Sequence, residues 1–535
     1  MSVLIAVVVV CLGVIVASQE KLDRVYWEKS AKADLEDALK TALNTDVAKN
    51  VIIFVGDGMG PNTITASRIY RGGETSYLSW ERFPHFGALK TYAENKQVPD
   101  SASTATAMFT GVKVNYRMIG VDSSVKERDC EASLMAEKRL TSIATLAQQA
   151  GKATGIVTTT RVTHATPAAM YAHSAYRHWE CDSNVPKNSN CKDIARQLIE
   201  DAPGKNFNVI MGGGRQVLKT NSTGTVIDPI ELKWSCRRTD GRDLINEWAQ
   251  DKESRNLKYA LPSNTKTLMS VDTDNTDYLL GIFSNHHFPF DCERNTSDVG
   301  MPSLEQMTTT AVKILKKNKN GFLLMVEGGM IDLAHHRGKA RKALHEVLAF
   351  NDAINATMKL LQSSGILDQT LVIVTSDHSH TLTISGYPNR GNNILGIASV
   401  SRIDGVPYTT LGYANSAKDN YHYKVENNTV VREDPSKVDT TSFDYGAQAG
   451  VLQDENTHGG SDVFIYASGP FAHLFHHMHE QNYVAEVVKY AAKLGEYNTF
   501  YNLANKGHSL SSSCTFALMT VFSLVLVVFL SAVTL

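Results

Sequence analysis

Ser101 follows Asp100 in the segment PDSASTATA (residues 99–107), and almost only small residues come after it. One interpretation is that Asp100 or Ser101 caps a helix that packs tightly against its neighbours. The other is that Ser101 is a nucleophile at a helix N-terminus, where free N–H groups and the helix dipole favour an anion. Because a serine hydroxyl alone is a weak nucleophile, this second interpretation requires a base or a metal ion from elsewhere in the chain.

Acidic residues follow three apolar runs that are typical of buried strands. Asp57 comes after VIIFV, Glu327 after FLLMV, and Asp377 after LVIVTS. Parallel strands present their carboxyl ends at one edge of a sheet, which is where ligands bind. A single aspartate there would indicate a turn or a helix cap, but three carboxylates would repel one another without a cation. The three together therefore predict a metal site.

Histidines at suitable spacings complete the predicted metal site. Asp332 and His336 share one helix face at an i, i+4 spacing, so a carboxylate oxygen and an imidazole nitrogen can bind one ion. His378 directly follows Asp377, and the two can share an ion where the backbone turns at a strand end. His458 precedes two glycines, which permit close approach of the backbone. Oxygen and nitrogen ligands without cysteine fit zinc, and an oxygen-rich set fits magnesium.

The remaining histidines singled out by their position are not interpreted as metal ligands: His335 is expected to have a structural role or to support a ligand, and the tract 473–479 a structural one. His335 adjoins His336 and is expected to point away from the shared ion. The tract HLFHHMH (residues 473–479) has a spacing that suits the exposed face of a surface helix, and we predict no metal site there.

Short β-branched runs alternate with longer amphipathic segments, which predicts an α/β fold with a large, mainly parallel central sheet and helices on both faces. No change in composition requires two independent domains, although the polar, turn-rich segment 389–444 predicts a smaller surface subdomain. The clearest predicted strands are Val51–Val55, Gly155–Thr159, Val209–Met211, Phe322–Val326 and Leu371–Thr375. The predicted helices include Leu140–Ala150, Leu304–Lys316, Lys339–Gln362 and Asn482–Leu494.

The overall composition is that of a globular protein. The 535 residues carry a formal net charge of −2, with 43% hydrophobic and 20% charged residues, which is sufficient for a large core. Since no basic excess would attract a phosphate backbone, the composition argues against nucleic-acid binding.

Both ends of the chain are apolar. Val3–Val16 is too short for a membrane span and, although it lacks the usual positive start, predicts a signal peptide over residues 1–18. The tail Phe516–Leu535 ends without a Lys or Arg, whereas basic residues usually follow a membrane span. We therefore predict that residues 514–535 are removed and that a GPI anchor attached near Ser512 holds residues 19–513 on the extracellular face of the cell membrane. A permanent C-terminal helix is the alternative.

Export makes disulfides and glycans possible. Cys11 and Cys514 belong to the terminal segments, and the odd number of cysteines between them requires one to be free or paired elsewhere. Those cysteines are Cys130, Cys181, Cys191, Cys236 and Cys292. A sequon at Asn355 lies in a predicted helix and is interpreted as blocked. The predicted glycosylation sites are Asn221, Asn295 and Asn427.

Longer motifs make the chain similar to the metazoan, membrane-anchored alkaline phosphatases, most closely to the arthropod type. They run in the order of that family from about residue 45 to residue 495. The matching stretches are NVIIFVGDGMG, QVPDSASTATAMFTGVKVN, VTTTRVTHATPAAMYAH, VIMGGGR, VEGGMIDLAHH, VTSDHSH, GYPNRG and THGGSDV. The resemblance implies an alkaline-phosphatase-like fold, hydrolysis of phosphate monoesters at the cell surface, and a homodimer with two zinc ions and one magnesium ion per subunit.

The resemblance also implies roles for individual residues. Ser101 would become a phosphoserine, and Arg177 would hold the phosphoryl group. His164 would lie near the magnesium ion and contribute to substrate binding. The implied ligands are Asp332, His336 and His458 for one zinc ion, Asp57, Asp377, His378 and Ser101 for the other, and Asp57, Thr166 and Glu327 for magnesium.

Disulfides of the resembled family imply a bond between Cys130 and Cys191. For the remaining cysteines we expect a bond between Cys236 and Cys292, which leaves Cys181 free.

Some animal relatives carry a fourth, calcium-type site, in the region that reads GIFSNHHFPFDCERNTS here. Ser284 and Asn295 stand where acidic residues would be expected. We therefore predict that a calcium site is absent.

The nearest competing functions belong to enzymes of similar fold. A sulfatase requires a C/S-x-P-x-R context, which the segment 101–105 lacks. Phosphodiesterases of this type generally use threonine and lack the third ion, so Glu327, Thr166 and Arg177 together favour monoesters. The competing function outside the enzymes is a cell-surface receptor that keeps an inactive catalytic fold. The complete set of predicted metal ligands argues against it.

Overall fold

A computed structural model of the protein describes residues 22–498, so the predicted signal peptide, the predicted C-terminal tail and Ser512 lie outside the described residues. Contacts divide the chain into two compact units, one ending at Leu43 and one beginning at Asn44. The first contains helix α1 (Arg24–Lys40), which is capped by Asp23 and has no buried residue in the described chain. Among residues 22–498, no helix has the length and apolar character needed to cross a bilayer.

The second unit alternates strands and helices. Its strands are β1 Asn50–Gly56, β2 His85–Lys90, β3 Ala153–Arg161, β4 Val209–Gly213, β5 Tyr259–Ala260, β6 Tyr278–Ser284, β7 Phe322–Gly328, β8 Thr370–Ser376, β9 Ser379–His380, β10 Leu382–Ile384, β11 Ile397–Val400, β12 Pro407–Thr409, β13 Leu411–Ser416, β14 Tyr423–Glu426, β15 Thr429–Arg432, β16 Ala449–Leu452, β17 His458–Gly459, β18 Val463–Ser468 and β19 His477–Glu480. Its helices are α2 Pro61–Gly72, α3 Ser101–Thr110, α4 Cys130–Leu134, α5 Ile143–Gln149, α6 Ala165–Ala168, α7 Ile194–Glu200, α8 Arg215–Leu218, α9 Leu244–Ser254, α10 Thr265–Met269, α11 Leu304–Leu315, α12 Met330–His336, α13 Ala340–Ser363 and α14 Tyr483–Ala492.

Ten of these strands form one sheet in the order β19-β2-β18-β8-β1-β7-β3-β4-β6-β5. From β8 to β5 all neighbouring strands are parallel. β18 runs antiparallel to both β8 and β2, and β19 is parallel to β2. The predicted large, mainly parallel sheet is therefore confirmed.

Apolar side chains cover both faces of this sheet. In β1, Val51, Ile53 and Val55 pack into one buried cluster, while Ile52 and Phe54 pack into a second. Because side chains alternate along a strand, the two clusters lie on opposite faces. Helices α3, α5 and α14 contribute to the first cluster, and α11 and α13 contribute to the second. The prediction of helices on both faces is confirmed.

The predicted elements agree with the observed ones to within a few residues. All five predicted strands lie within β1, β3, β4, β7 and β8. Three predicted helices differ from α11, α13 and α14 by at most two residues at either end. Helix α5 begins later than predicted because Ser142 is its N-cap and accepts a hydrogen bond from Thr145 N.

The histidine tract 473–479 does not form the surface helix that we predicted. It forms a 3-10 turn, Ala472–Phe475, followed by the edge strand β19, which pairs with β2. His477 has a φ of 79°, a left-handed conformation that a right-handed helix does not contain. Pairing with a distant strand has decided the local structure here, which the spacing of the histidines does not reveal.

The segment 389–444 lies outside the ten-stranded sheet and forms smaller sheets. β11 pairs with β12, β14 pairs with β15, and β13 joins β10 and β16. Asn427 is exposed in the turn between β14 and β15, and Asn221 and Asn295 are exposed in other loops.

Two disulfides are present in the described chain. The bond between Cys130 and Cys191 is the predicted one. The second joins Cys181 to Cys236, so the predicted Cys236–Cys292 pairing is wrong and Cys181 is not free. Within residues 22–498 the half-buried Cys292 forms no disulfide. The Cα atoms of the second pair lie 6.2 Å apart, a proximity created by the fold that separation along the chain does not predict.

Candidate active site

The carboxyl ends of three adjacent strands meet at one edge of the sheet. β1 lies between β7 and β8, and its last residue, Gly56, is in register with the ends of both neighbours. Asp57 follows β1, Asp377 follows β8, and Glu327 lies at the end of β7. The sheet thus brings together the three carboxylates that stand far apart in the sequence.

Three groups of acidic and histidine side chains at this edge could each hold a metal ion. Within each group, one ligand atom per residue lies within 4.8 Å of the others. The groups are Asp332, His336, His380 and His458; Asp57, Asp377 and His378; and Asp57, His164 and Glu327. We call the first the histidine-rich group and the other two, which share Asp57, the carboxylate-rich groups.

Two imidazoles of the histidine-rich group present an acceptor nitrogen to the same point. His336 Nδ1 lies 2.7 Å from the carbonyl oxygen of Asn456, and His458 Nδ1 lies 2.8 Å from that of Pro99. Each Nδ1 therefore donates its proton, and both Nε2 atoms, which lie 3.1 Å apart, are left as acceptors. His336 Nε2 is also 3.3 Å from Asp332 Oδ2. Two imidazole lone pairs and a carboxylate at these distances form a metal-ligand arrangement.

Asp332 is stabilised as a carboxylate by the histidines around it. Burial alone would raise its pKa, but the facing His336 and His380 hold that pKa well below its ordinary value. His380 Nε2 lies 2.6 Å from Asp332 Oδ1, and its Nδ1 lies 2.7 Å from Asn456 Oδ1. His380 therefore orients a predicted ligand, a role that we did not predict. Its place two residues after His378 was the available signal.

The carboxylate-rich groups have no comparable compensation. Burial, followed by repulsion from Asp377, raises the pKa of Asp57 well above its ordinary value, and burial raises the pKa of Asp377 to about 7. Burial also raises the pKa of Glu327, although its Oε2 accepts hydrogen bonds from Thr158 and, at 3.0 Å, from Thr160. Raised pKa values of this kind follow when like charges are buried together without a counter-ion.

Unpartnered oxygens show that these groups fit cations. Buried polar atoms are nearly always hydrogen-bonded, so a cluster of exceptions requires an explanation. Five buried oxygens here have no hydrogen-bond partner within residues 22–498. They are both carboxylate oxygens of Asp57, Oε1 of Glu327, Oδ2 of Asp377 and Oγ1 of Thr166. The oxygen-only set of Asp57, Glu327 and Thr166 suits magnesium, whereas the sets that include histidine suit zinc.

Ser101 begins helix α3 and faces a carboxylate-rich group. Its Oγ lies 3.1 Å from His378 Nε2, and the residue is 1% exposed. Asp100 is the N-cap of the helix, and its Oδ1 accepts a hydrogen bond from Ser103 N at 3.3 Å. The capping interpretation of the segment 99–107 is confirmed, because Asp100 caps the helix. Ser101 lies in the site, and its role as a nucleophile stays a prediction.

Arg177 lies beside Ser101 in the same cavity. Its Nη1 donates to Asp100 Oδ2 at 2.9 Å, and its Nη2 lies 3.0 Å from His164 Nε2. Burial, followed by Arg177, holds the pKa of His164 well below its ordinary value, so the imidazole is neutral. Because its Nε2 accepts from Arg177, His164 carries its proton on Nδ1 and does not bind a metal through that atom. Asp100, which we did not predict in this role, fixes the guanidinium.

A cavity of about 230 Å³ opens over these residues. Its lining includes Ser101, Arg177, Asp332 and His336, and also His178 and the exposed Trp234. An ester that enters this cavity therefore meets a hydroxyl, a guanidinium and the candidate metal ligands together.

Comparisons with known proteins show the family of the chain. The sequence profile of the alkaline phosphatase family matches residues 48–494. The tissue-nonspecific alkaline phosphatase of Gallus gallus is 41% identical, covering 97% of this chain and 97% of its own, and alkaline phosphatase 4 of Drosophila melanogaster is 40% identical, covering 90% and 84%. The solved alkaline phosphatase of Thermus thermophilus shares the fold, with a TM-score of 0.58 at 22% identity over 85% of this chain and 93% of that one. With the family profile matching almost the whole described chain, this protein belongs to the alkaline phosphatase family of phosphomonoesterases.

Proposed function

We propose that the protein hydrolyses phosphate monoesters in two displacements, with Ser101 carrying the phosphoryl group between them. The observation that carries this proposal is the position of Ser101 Oγ, at the N-terminus of helix α3 and 3.1 Å from His378 Nε2 in a carboxylate-rich group. The free N–H groups and the dipole at that helix N-terminus add attraction for an anion.

Two zinc ions and one magnesium ion per subunit are assigned to the three groups. The proposed ligands are Asp332, His336 and His458 for one zinc ion, Asp57, Asp377, His378 and Ser101 for the other, and Asp57, Thr166 and Glu327 for magnesium. His380 is assigned as an orienting residue, since both of its nitrogens already contact protein acceptors. When bound, such ions supply positive charge that lowers the pKa of an oxygen nucleophile and stabilises charge on phosphoryl oxygens.

The side chains of the protein bind the ester and organise both displacements. Arg177 offers N–H donors to the phosphoryl oxygens, while Asp100 and His164 hold its guanidinium in place. Ser101 Oγ attacks phosphorus, and the ester oxygen leaves with a proton as an alcohol. Water then attacks phosphorus, which restores the serine hydroxyl and releases phosphate.

We also propose that the protein is exported, carries glycans at Asn221, Asn295 and Asn427, forms a homodimer and is held on the extracellular face of the cell membrane by a GPI anchor near Ser512. Two disulfides and three exposed sequons suit an oxidising, extracellular compartment. The arthropod type remains our assignment from the motifs quoted above. Treatment of intact membranes with phosphatidylinositol-specific phospholipase C should release the activity, and activity that stays on the membrane would favour a permanent helix.

The covalent route is tested by trapping the phosphoryl group. The zinc- and magnesium-loaded protein is mixed with p-nitrophenyl phosphate, quenched in acid within the first turnover and digested for peptide mass spectrometry. We expect phosphate on Ser101, and none on the exposed Ser124 as an internal control. Product formation without phosphorylated Ser101 would contradict the covalent route, and a metal content other than two zinc and one magnesium would contradict the assignment of the ions.

A further inference from the structure

The outer wall of the active-site cavity contains an exposed tryptophan. Residues 231–236, which we call the 231–236 segment, place Glu231, Lys233 and Trp234 in the lining of the cavity that also contains Ser101 and Arg177. Trp234 is 53% exposed. A large aromatic side chain that is exposed in the lining of a catalytic cavity is available to contact a bound ligand.

This segment is fixed to the rest of the site at several points. Cys236 forms the disulfide with Cys181, which lies four residues after Arg177. The Trp234 carbonyl oxygen accepts a hydrogen bond from Arg161 Nη2 at 3.0 Å. Gln216 Nε2 donates to the carbonyl oxygens of Glu231 at 2.6 Å and Cys236 at 2.9 Å. These contacts hold the backbone of the segment in place before any ligand arrives, which reduces the entropy lost on binding.

The anchor on Arg161 is itself rigid. Arg161 is buried and pairs through two N–H groups with Glu180, at 2.8 and 2.6 Å. His286 and His287 lie 2.8 and 2.6 Å from its third nitrogen. A buried, bidentate ion pair of this kind fixes geometry in a way that a mobile surface contact does not.

Neutral rings extend the aromatic surface from Trp234 towards Arg177. The ring centroids of His178 and Trp234 are 6.4 Å apart at an interplanar angle of 33°, and those of His178 and Tyr176 are 4.9 Å apart. Burial, followed by Arg177, lowers the pKa of His178 to about 4, so its imidazole is uncharged at physiological pH. Uncharged aromatic faces are the surfaces on which nucleobases and other planar rings stack.

We propose that Trp234 and His178 form a leaving-group subsite for phosphomonoesters of planar aromatic alcohols and nucleosides. The inference rests on the proposed function, since the subsite is the part of the cavity that receives the alcohol when Ser101 takes the phosphoryl group. Arg177 holds the phosphoryl end and Trp234 contacts the aromatic end, so the enzyme selects such esters over aliphatic ones of equal charge.

Steady-state kinetics of Trp234→Ala test the subsite with two esters. For adenosine 5′-monophosphate, kcat/KM should fall about 10-fold, in line with the loss of one stacking contact. For glycerol 2-phosphate it should stay within about twofold, because that leaving group has no ring to stack. Trp234→Phe should recover most of the loss. Trp27→Ala is the matched control, since Trp27 is 52% exposed on helix α1.

A binding measurement separates failure of the subsite from failure of the proposed chemistry. Adenosine, which carries no phosphate, should bind the metal-loaded protein in calorimetry and bind Trp234→Ala about 10-fold more weakly. Equal affinity of the two proteins for adenosine, or an equal loss of kcat/KM for both esters, would overturn the subsite. Retained turnover in Ser101→Ala would instead overturn the proposed function, and the adenosine result would still decide the subsite.

Discussion

The histidine-rich and carboxylate-rich groups lie at the same sheet edge but balance their charge in opposite ways. Facing histidines hold the pKa of Asp332 well below its ordinary value, despite the burial that would raise it. Burial and neighbouring carboxylates raise the pKa values of Asp57 and Asp377. The Asp332 carboxylate is therefore stabilised by its neighbours in the protein, whereas the carboxylates of the second kind of group are stabilised only when a proton or a cation neutralises them.

Replacing the serine that faces the carboxylate-rich group should have the largest effect. Ser101→Ala should reduce turnover at least about 1,000-fold, because the nucleophile is lost while the carboxylates that bind ions remain. Zinc content, measured by atomic emission, should change little. Ser124→Ala serves as a control in which an exposed serine is removed. Substantial turnover in Ser101→Ala would refute its assignment as the nucleophile.

The second-largest effect is expected on the number of metal ions bound per chain, which should differ between variants of the two kinds of group. Asp57 belongs to both carboxylate-rich groups, so Asp57→Asn should lower the metal content by two ions per chain, whereas His336→Asn should lower it by one. Both variants should lose most activity, since each removes a direct ligand. Equal metal loss in the two variants, measured after the same dialysis, would show that Asp57 is not shared.

Loss of the guanidinium should give a smaller effect that leaves both groups intact. Arg177→Ala should weaken inhibition by inorganic phosphate and lower kcat/KM by about 10- to 100-fold each, the size expected for charge-assisted hydrogen bonds. The metal content should not change. Arg117→Ala provides the comparison, because Arg117 lines the same cavity but its side chain pairs with Glu127. Unchanged phosphate inhibition in Arg177→Ala would contradict its role.

The smallest effects are expected on the free energy of unfolding of the metal-free protein. Substitutions in the two kinds of group should change it in opposite directions. At pH 8, Asp377→Asn should raise the free energy of unfolding by about 1–3 kcal/mol, because it removes an uncompensated buried charge, and Asp332→Asn should lower it by a similar amount. Urea denaturation in the presence of EDTA measures both differences.

The pH dependence of those differences follows from the pKa shifts. The pKa of Asp377 is raised to about 7 in the folded protein, so its ionisation removes stability as pH rises through 7. The difference in the free energy of unfolding between Asp377→Asn and the unmodified protein should therefore become smaller below pH 7. The pKa of Asp332 is depressed, so its contribution should be present above the ordinary aspartate pKa of about 4 and be lost as pH falls below it. If the difference in the free energy of unfolding for Asp377→Asn did not change with pH, this would contradict the claim that Asp377 is a buried carboxylate without a compensating charge.

Local patterns predicted the elements that carry the site. The apolar runs before Asp57, Glu327 and Asp377 are long and unbroken, so strands and acidic strand ends could be read directly. The division of ligands among three ions came from the resemblance to a known family, because spacing within one segment says nothing about partners in another. The structure places the acidic and histidine residues among the proposed ligands in three groups at the predicted edge.

Features that depend on contacts between distant segments were not predicted. His380 reaches Asp332 because β9 pairs with β17, and Asp100 reaches Arg177 because helix α3 begins beside the segment that follows α6. The pairing of Cys236 depends in the same way on the fold, and its predicted partner was wrong. Each of these contacts needs the whole sheet to be assembled, which no window of the sequence contains.

The disulfide between Cys181 and Cys236 forms only in an oxidising compartment, so the structure of the cavity wall depends on the expression host. In a reducing bacterial cytosol the thiols would stay unpaired, and the wall that carries Trp234 would lose its covalent attachment to the neighbourhood of Arg177. Such a preparation would keep its metal ligands, none of which is a cysteine. It would thus keep its activity on aliphatic esters such as glycerol 2-phosphate while under-reporting its activity on aromatic and nucleoside esters.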